Sequence, residues 1–525
     1  MPATPVDATP EPLPHAPRVS EPGARPATAP ESAPGAGTSA SAPVRRPSRA
    51  AALAITLVVL ISLTGTARAL QLWPFTTGDA HVALTSAGIS VDVDGTRTPV
   101  PPGADVQFLP GSRVAVVDTS EATPEQLAAA EESRDWLASG TVPGAGTPYE
   151  DMAEASLLDI RALTLDDGAV VAGWSPNWRY AWPRDNAFVA LALARTGHVD
   201  EALLVLQFLQ QVQEPNGSFE ARYLPDGSGP PDDRGIQTDA TGWALWAAAS
   251  VLAEIHDPQE RHEAARDLRP LLDRGVDHVL SLTEGGTRLP PPSPDYWEVE
   301  TSQQTLGTSA PLLMALTAAP VALHALDAPA RAAAVASAAA SFDELVHRSF
   351  SPGYGRFLGG SSVDTAVAFL LPPFLPVRPD DVPRGVLEAW RSAPAQMGRP
   401  AGGLAPGTSW KRDGISWTPT TSIFALASAG LEDADSAERW LAWLDDHRTS
   451  LGSIPEKVLA DGSPAQLAPL AWSSANVLLT LVLLDEAAAL DDADAGTSAG
   501  ESDDGDATAV DGPAGARTDA EDARD

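Results

Sequence analysis

Apolar residues recur at helical spacing from about residue 150 to residue 488, and twelve segments of the chain carry this pattern. One segment, DATGWALWAAASVLAEI at 239–255, is apolar nearly all round, which is typical of a buried helix. The next, PQERHEAARDLRPLLDRGVDHVLSL at 258–282, is amphipathic, which is typical of an outer helix. The twelve predicted helices start near residues 151, 185, 199, 240, 259, 303, 326, 363, 381, 417, 434 and 467.

The connections between these helices alternate in length. The breaks after the second, fourth, sixth, eighth and tenth helices are short, such as Gly197-His198 and Asp257-Pro258. The segments before the even-numbered helices are mostly longer and rich in Gly, Pro and Trp. This alternation predicts an all-α fold, an (α/α)6 toroid with six inner helices, six outer helices and a cleft at one mouth. The alternative is a plain helical-repeat solenoid, which the long loops on alternate connections disfavour.

Shorter segments flank the helical domain, which we place at residues 149–488. Residues 70–148 contain a β-rich piece at 82–118, followed by one helix and a Gly/Pro linker. Residues 1–50 are rich in Ala, Pro and Ser, and residues 489–525 are rich in Asp, Glu, Gly and Ala. Both compositions predict disorder.

An apolar run at residues 51–69 is near the lower limit of length for crossing a bilayer. Arg45, Arg46 and Arg49 precede it, which predicts a cytoplasmic N-terminus and an extracytoplasmic helical domain. One interpretation is a single-pass anchor in the cell membrane. The other is a signal peptide that is cleaved after Ala67-Arg68-Ala69, which would release a secreted protein. The long leader favours the anchor slightly.

The composition excludes several classes of function. The formal net charge of −36 argues against nucleic acid as a partner, since phosphates would be repelled. There is no cysteine, which excludes disulfides, thiol nucleophiles and Cys-ligated zinc. Only Lys411 and Lys457 could form a Schiff base. The sequence is silent on the oligomeric state.

A Pro-rich loop before the sixth helix contains Asp295-Tyr296-Trp297-Glu298-Val299-Glu300. Aromatic rings around Glu298 would desolvate its carboxyl group, disfavour its charged form and suit it to donate a proton. The same rings can stack on a sugar. The alternative is an aromatic loop that only covers the helices and leaves Glu298 solvated.

Arginine and aspartate residues open other inner helices. Arg184-Asp185 follows Trp174, Trp178 and Trp182, and this pair offers a forked donor and an acceptor for vicinal hydroxyls. Arg356 and Asp364 form a similar pair before the eighth helix, and Asp239 opens the fourth. The alternative is that Asp185 and Asp239 are only helix caps.

Glu456 is predicted to lie at the mouth of the twelfth helix. In a closed ring this helix is next to the second helix, so Glu456 can face Glu298 across the cleft. Two opposed carboxyl groups, one protonated and one holding a water molecule, meet the requirement for glycoside hydrolysis.

These residues resemble glycoside hydrolase family 15, the group of glucoamylases, glucodextranases and trehalases, over roughly residues 150–485. The matching pieces lie in family order at predicted helix boundaries: Tyr180-Ala-Trp182-Pro-Arg184-Asp185, Asp239-Ala-Thr-Gly242-Trp243, Asp295-Tyr-Trp297-Glu298, Gly355-Arg356-Phe357 with Asp364, and Pro455-Glu456-Lys457 with Leu470-Ala-Trp472-Ser473.

The resemblance implies a six-hairpin glycosidase that inverts α-glucosidic bonds, with Glu298 as general acid and Glu456 as general base. It implies that Arg184, Asp185 and Arg356 hold the non-reducing sugar. The remaining predicted substrate-binding residues are Tyr180, Trp182, Asp239, Trp297, Glu300 and Trp472. This chemistry requires no metal or organic cofactor.

The chain departs from the family in three places. The family usually has a second Glu after the general acid, where this chain has Val299, with Glu300 one position further on. The last Glu is commonly followed by Gln, and here by Lys457. Only the short piece at 82–118 stands where bacterial members often have a β-sandwich.

Two rival functions remain open. A non-catalytic glycan-binding or cell-envelope scaffold protein could use the same cleft without turnover, and Val299 favours this alternative. A terpenoid-type cyclase would need an Asp-rich magnesium motif on an inner helix. The candidates Asp232-Asp233 and Asp380-Asp381 lie in Pro-rich loops instead.

Overall fold

The structure, a computed structural model, describes residues 81–500, and it describes side chains as far as residue 490. The predicted N-terminal tail, the predicted anchor at 51–69 and residues 501–525 therefore lie outside the described part. Its α-helices are, in chain order, α1 (Pro124–Ser139), α2 (Glu150–Leu163), α3 (Pro183–Arg195), α4 (Val199–Val212), α5 (Asp239–Glu254), α6 (Pro258–Asp267), α7 (Arg269–Leu282), α8 (Leu306–Ala325), α9 (Pro329–Phe350), α10 (Arg384–Met397), α11 (Thr418–Gly430), α12 (Ala434–Asp446) and α13 (Ala471–Gly500).

The inner elements form a closed ring. Helix α3 packs against α5, α5 against α8, and α8 against a 3₁₀ helix at Thr365–Leu370. That 3₁₀ helix packs against α11, α11 packs against α13, and α13 returns to α3. Behind the six inner elements lie α4, α6 with α7, α9, α10, α12 and α2, one for each inner element. The predicted (α/α)6 toroid is therefore confirmed.

Aromatic side chains fill the middle of the ring. Trp243 and Trp246 on α5 lie 5.4 Å and 5.2 Å from Phe188 on α3, measured between ring centroids. Phe369 on the 3₁₀ helix lies 4.8 Å from Trp243. Helix α5 is buried on nearly every side, as its all-round apolar pattern predicts.

Gly242 allows α5 and α8 to approach each other closely. A Cβ atom at this position would lie 2.6 Å from the carbonyl carbon of Pro311 on α8. Any larger residue would therefore push the two inner helices apart.

Two predicted helices differ in form from the expectation. The helix predicted to start near residue 363 is the short 3₁₀ helix, because Pro372 and Pro373 lack the backbone donors that a longer helix would need. The amphipathic segment at 258–282 is two helices, α6 and α7, which meet at Leu268. Pro270 stands in the first turn of α7, where a missing N–H costs little.

The β-structure is confined to short pieces, as predicted. Strands β1 (Gly88–Val91) and β2 (Arg97–Val100) form one antiparallel hairpin, and β3 (Gln107–Phe108) and β4 (Ala115–Val116) form another. The buried Arg113 joins this segment to α2, since its Nε donates to Oδ1 of Asp159 over 2.6 Å. Strands β5 (Ser416–Trp417), β6 (Lys457–Val458) and β7 (Pro464–Ala465) connect the last two long loops.

Two helices of the described part are long and apolar enough to cross a bilayer, namely α8 and the first twenty residues of α13. Both are inner elements of the ring, and their apolar length is explained by burial against neighbouring helices. Helix α13 continues to Gly500, beyond the predicted domain boundary at residue 488.

Candidate active site

The inner elements all begin at the same mouth of the ring, and the predicted site residues lie at these starts. Asp185 is in the first turn of α3, and Asp239 is the first residue of α5. Asp364 caps the 3₁₀ helix, where its Oδ1 accepts from the backbone N–H of Ala366 over 2.9 Å. Trp472 is the second residue of α13. Sequence reasoning therefore places these residues correctly relative to the helix starts.

The loop that carries Glu298 turns sharply before α8. Glu298 has a positive φ of 55°, which is uncommon for a residue with a side chain, and its N–H donates to the carbonyl of Asp295 over 2.7 Å. The side chain of Asp295 supports the same turn, because its Oδ1 accepts from the backbone N–H of Trp297 over 3.0 Å. Strained backbone of this kind is concentrated at functional sites.

Both carboxylate oxygens of Glu298 face guanidinium groups. Oε1 lies 3.8 Å from Nη2 of Arg184, and Oε2 accepts a hydrogen bond from Nη1 of Arg234. The structure differs here from the expectation that apolar rings enclose this carboxyl group. The ring of Trp297 instead contacts the guanidinium of Arg356 at 3.8 Å and the ring of Trp410 at 4.7 Å.

Glu456 is more deeply buried than Glu298. Burial raises the pKa of its carboxyl group, while Lys457 and the indole of Trp178 act in the opposite direction. The negative charge of Glu298 raises the pKa further. These two residues are 158 positions apart in the sequence.

Arg184 forms one wall of the site. Its Nη2 donates to Oδ2 of Asp185 over 3.0 Å, and its guanidinium lies 4.3 Å from the ring centre of Trp472. Burial raises the pKa of Asp185, and the charge of Arg184 opposes that effect. This pair is the forked donor and acceptor expected from the sequence.

Arg356 holds a second pair of carboxylates. Its Nη2 donates to Oδ1 of Asp295 over 2.8 Å, and its Nη1 lies 3.6 Å from Oδ2 of Asp364. The hydroxyl of Tyr296 donates to Oδ1 of Asp364. Burial raises the pKa of Asp364 to about 6, although Arg356 opposes the shift.

Asp239 does not cap its helix. Its Oδ2 accepts from the indole of Trp243 over 3.2 Å, and its side chain makes no capping hydrogen bond. Burial raises the pKa of Asp239 to about 7, and the nearby charge of Asp295 adds to the shift. A carboxyl group with this pKa can be a donor as well as an acceptor near neutral pH.

Many buried polar atoms in these loops have no hydrogen-bond partner among the described residues. Because buried polar atoms are usually paired, such a cluster suits a ligand that carries many hydroxyl groups. The atoms that also lack an ion-pair partner are Nε1 of Trp182, Trp297, Trp410, Trp417 and Trp472, Nε and Nη1 of Arg184, Oδ1 of Asp239 and Oδ2 of Asp295.

Three predicted substrate-binding residues have other surroundings. The guanidinium of Arg222 lies over the rings of Tyr180 and Trp182, at 4.2 Å and 5.1 Å, so it already covers one face of each ring. Glu300 is exposed, and the structure shows no hydrogen bond or ion pair from its described side chain to another site residue. Val299 is also exposed, at 48%.

Sequence reasoning missed Arg234 and the structural role of Asp295. Arg234 lies in the Gly/Pro-rich loop before α5, where no local pattern distinguishes it from a solvated arginine. Asp295 did carry a signal, because it belongs to the matching motif Asp295-Tyr-Trp297-Glu298. Within the described part, no three His, Asp or Glu side chains are arranged to hold a metal ion.

Comparison with solved structures identifies the fold. A glycosidase matches with a TM-score of 0.54 and 23% identity, over 64% of this chain and 96% of that one. A variant of it has been solved in complex with glucose. A bacterial glucoamylase complexed with acarbose matches with a TM-score of 0.53 and 17% identity, over 70% of this chain and 62% of that one. The chain has the glucoamylase fold.

The glucoamylase from Saccharomycopsis fibuligera shows the same fold, with a TM-score of 0.51 and 14% identity over 61% of this chain and 89% of that one. Among curated proteins, an uncharacterized glycosyl hydrolase of Methanocaldococcus jannaschii is 30% identical over 98 residues, which are 18% of this chain and 16% of that protein. No protein-family profile matches the chain. The resemblance inferred from the motifs is thus confirmed at the level of the glucoamylase fold.

Proposed function

We propose that the chain is an inverting glycoside hydrolase that acts on α-glucosidic linkages, with Glu298 as general acid and Glu456 as general base. The observation that carries this proposal is the packing that joins the two loops at one mouth of the ring. The ring of Trp297, next to Glu298, lies 4.7 Å from that of Trp410, which lies 5.5 Å from that of Trp417, the ring beside Lys457 and Glu456. The unpartnered polar atoms of Arg184, Asp239 and Trp472 at this mouth support a polyhydroxylated substrate. The glucose and acarbose complexes of proteins with this fold support a sugar ligand.

In the proposed reaction, the carboxylate of Glu456 accepts a proton from a water molecule as that water attacks the anomeric carbon. The glycosidic bond breaks, and Glu298 gives its proton to the leaving oxygen. The configuration at the anomeric carbon inverts through an oxocarbenium-like state. An inverting pair needs a separation of about 6.5–9.5 Å between its carboxyl groups to admit the water.

The substrate class that we propose is an α-glucan, a dextran-like glycan or a trehalose-like disaccharide. We further propose that the enzyme works outside the cytoplasm, tethered by the apolar run at 51–69. Fractionation of cells that express the full chain tests the tether. The protein should stay with membranes after a carbonate wash, and a protease should reach the ring domain from the outer side.

The activity is tested by incubating the full chain with α-1,4, α-1,6 and α,α-1,1 glucosides. NMR should show the β-anomer as the first product from an α-glucoside. E298Q and E456Q should each lose about 10²–10⁴-fold in rate. E388Q is the matched control, because it removes a glutamate that is 61% exposed on the outer helix α10 and should keep the wild-type rate. Full turnover by E298Q would end the assignment of the general acid.

A non-catalytic glycan-binding protein is the second candidate. It is favoured by the two guanidinium groups on Glu298, which leave neither carboxylate oxygen free of a cation. Isothermal titration with the same glucosides separates the candidates. Binding without release of any sugar would support the second candidate and reject the first.

A further inference from the structure

Lys457 lies beside the proposed general base. Its Nζ is 3.5 Å from Oε2 of Glu456, and both side chains are nearly buried, with 13% and 11% exposure. The lysine is also held from two other sides. Its Nζ donates to Oε1 of Gln466 over 3.2 Å and lies 4.4 Å from the ring centre of Trp417.

These contacts hold the ammonium group of Lys457 next to one carboxylate oxygen, Oε2, of Glu456. Residues 457 and 458 form β6, which pairs with Trp417 on one side and with Ala465 on the other. The register brings Trp417 directly opposite Lys457, and Gln466 follows β7. The partners of the lysine therefore come from the strands on both sides of it.

The charge of Lys457 has a chemical consequence for Glu456. A general base must be ionised before it can accept a proton, and burial of Glu456 opposes ionisation. Glu298 opposes it as well whenever its own carboxyl group is ionised, because the two charges then have the same sign. Lys457 is the charged group on Glu456 that acts in the other direction, together with the uncharged indole of Trp178.

We propose that Lys457 is a positioning residue for the base, which holds Oε2 of Glu456, keeps this carboxylate ionised inside the protein and leaves Oε1 to take the proton of the attacking water. The proposal rests on the function proposed above. It assigns a role to a position where the sequence departs from the resembling family, in which a neutral glutamine is common. A neutral side chain could hold the same oxygen by a hydrogen bond, but it would not supply the charge.

The first test is the pH profile of kcat/KM for the wild type, K457M, K457Q and K457R. Loss of the charge should move the acid limb to higher pH in K457M and K457Q, and each unit of displacement lowers the rate about tenfold on that limb. K457R should keep the acid limb near its wild-type position. An unchanged acid limb in K457M and K457Q, whatever their kcat, would overturn the proposal.

The second test needs no activity, so it separates this proposal from the proposed function. Burial places the pKa of Glu456 above its unfolded value, so its ionisation costs stability as pH rises above about 4.3. Without Lys457 that cost is larger, so the Tm of K457M should fall more steeply with pH than that of the wild type. The Tm of the double variant E456Q/K457M should not show this steeper fall with pH, because the glutamine at position 456 cannot ionise.

The outcomes of the two tests are distinct. If the wild type cleaves no glycoside, the proposed function fails, and the melting curves alone decide on the pairing of Lys457 with Glu456. If K457M and the wild type melt with the same pH dependence, the pairing is rejected even when the wild type is an active enzyme. A milder variant, K457Q, gives the same comparison if K457M does not fold.

Discussion

Arg184 lies 3.8 Å from Glu298 and joins the proposed general acid to the first inner helix. The same Nη2 atom donates to Asp185 over 3.0 Å, so one guanidinium serves two carboxylates that come from different loops. Arg184 is nearly buried, and its remaining donors point to no protein acceptor in the described part. Arg184 therefore has two roles. It holds the two loops together, and its remaining N–H groups are available to a ligand.

Replacement of Arg184 should destabilise the protein. R184Q leaves Asp185 buried without its cation, and removal of one partner of a buried ion pair costs about 3–5 kcal/mol. Urea unfolding at pH 7 measures the loss. R384Q is the control, because Arg384 and Glu388 form a pair on the surface of α10 that is 92% and 61% exposed. Such a pair is worth about 0–1 kcal/mol, so equal losses in the two variants would contradict the role of Arg184.

The pH dependence of stability should reveal Asp239. Its folded pKa of about 7 is above the unfolded value, so its contribution is present at low pH and is lost as pH rises from about 4 to about 7. The loss is on the order of 4 kcal/mol, since each pKa unit corresponds to about 1.36 kcal/mol.

D239N cannot titrate, and it should therefore show a flatter curve of unfolding free energy between pH 4.5 and pH 8 than the wild type. D233N changes an exposed aspartate of the neighbouring loop and should follow the wild-type curve. Parallel curves for D239N and the wild type across this window would show that Asp239 does not titrate there.

The close contact of α5 with α8 should not tolerate a methyl group. G242A places a Cβ atom 2.6 Å from backbone atoms of Pro311, which cannot move aside as a side chain can. Overpacking of this kind costs about 1–3 kcal/mol. In G88A the nearest atom is Cδ1 of the half-buried Leu451 at 3.2 Å, the end of a flexible side chain, so its stability should change little. Thermal unfolding of the two variants checks the difference.

The hydroxyl of Tyr296 should contribute to stability through Asp364. Y296F removes a donor from a carboxylate that is almost fully buried, and loss of a buried partner costs about 1–3 kcal/mol. Y149F removes a hydroxyl that donates to the backbone carbonyl of Glu438 over 3.1 Å at the surface. It should cost less than about 0.5 kcal/mol. Similar denaturation midpoints for both variants would argue against the buried contact.

The ring could be predicted from the sequence because its signal is spread over many residues. The apolar character of α5 and the amphipathic character of α6 and α7 report directly which side of a helix meets solvent. The short 3₁₀ helix at Thr365–Leu370 was predicted as a full helix because its apolar run is compatible with either form. Pro372 and Pro373 follow this segment and limit its length, and the apolar pattern does not report this local effect.

The site was predictable where a functional residue coincides with a helix start. Arg184, Asp185 and Asp239 lie at such boundaries, whereas Glu456 directly precedes strand β6 and lies well before the start of α13. The contacts of Glu298 were not predictable, because Arg234 comes from a loop 64 positions earlier in the chain and its side chain is 42% exposed. Periodicity carries no information about such a long-range ion pair. The two guanidinium groups around Glu298 are therefore visible only in the structure.

The contact between α13 and α3 has a consequence for biosynthesis. During translation, α3 emerges some 290 residues before α13, and until then its apolar flank has no partner on that side. Contacts of such long range slow folding, and exposed apolar surface on a nascent chain favours aggregation. The contact between the guanidinium of Arg184 and the indole of Trp472 can therefore form only after nearly the whole ring domain has been synthesised.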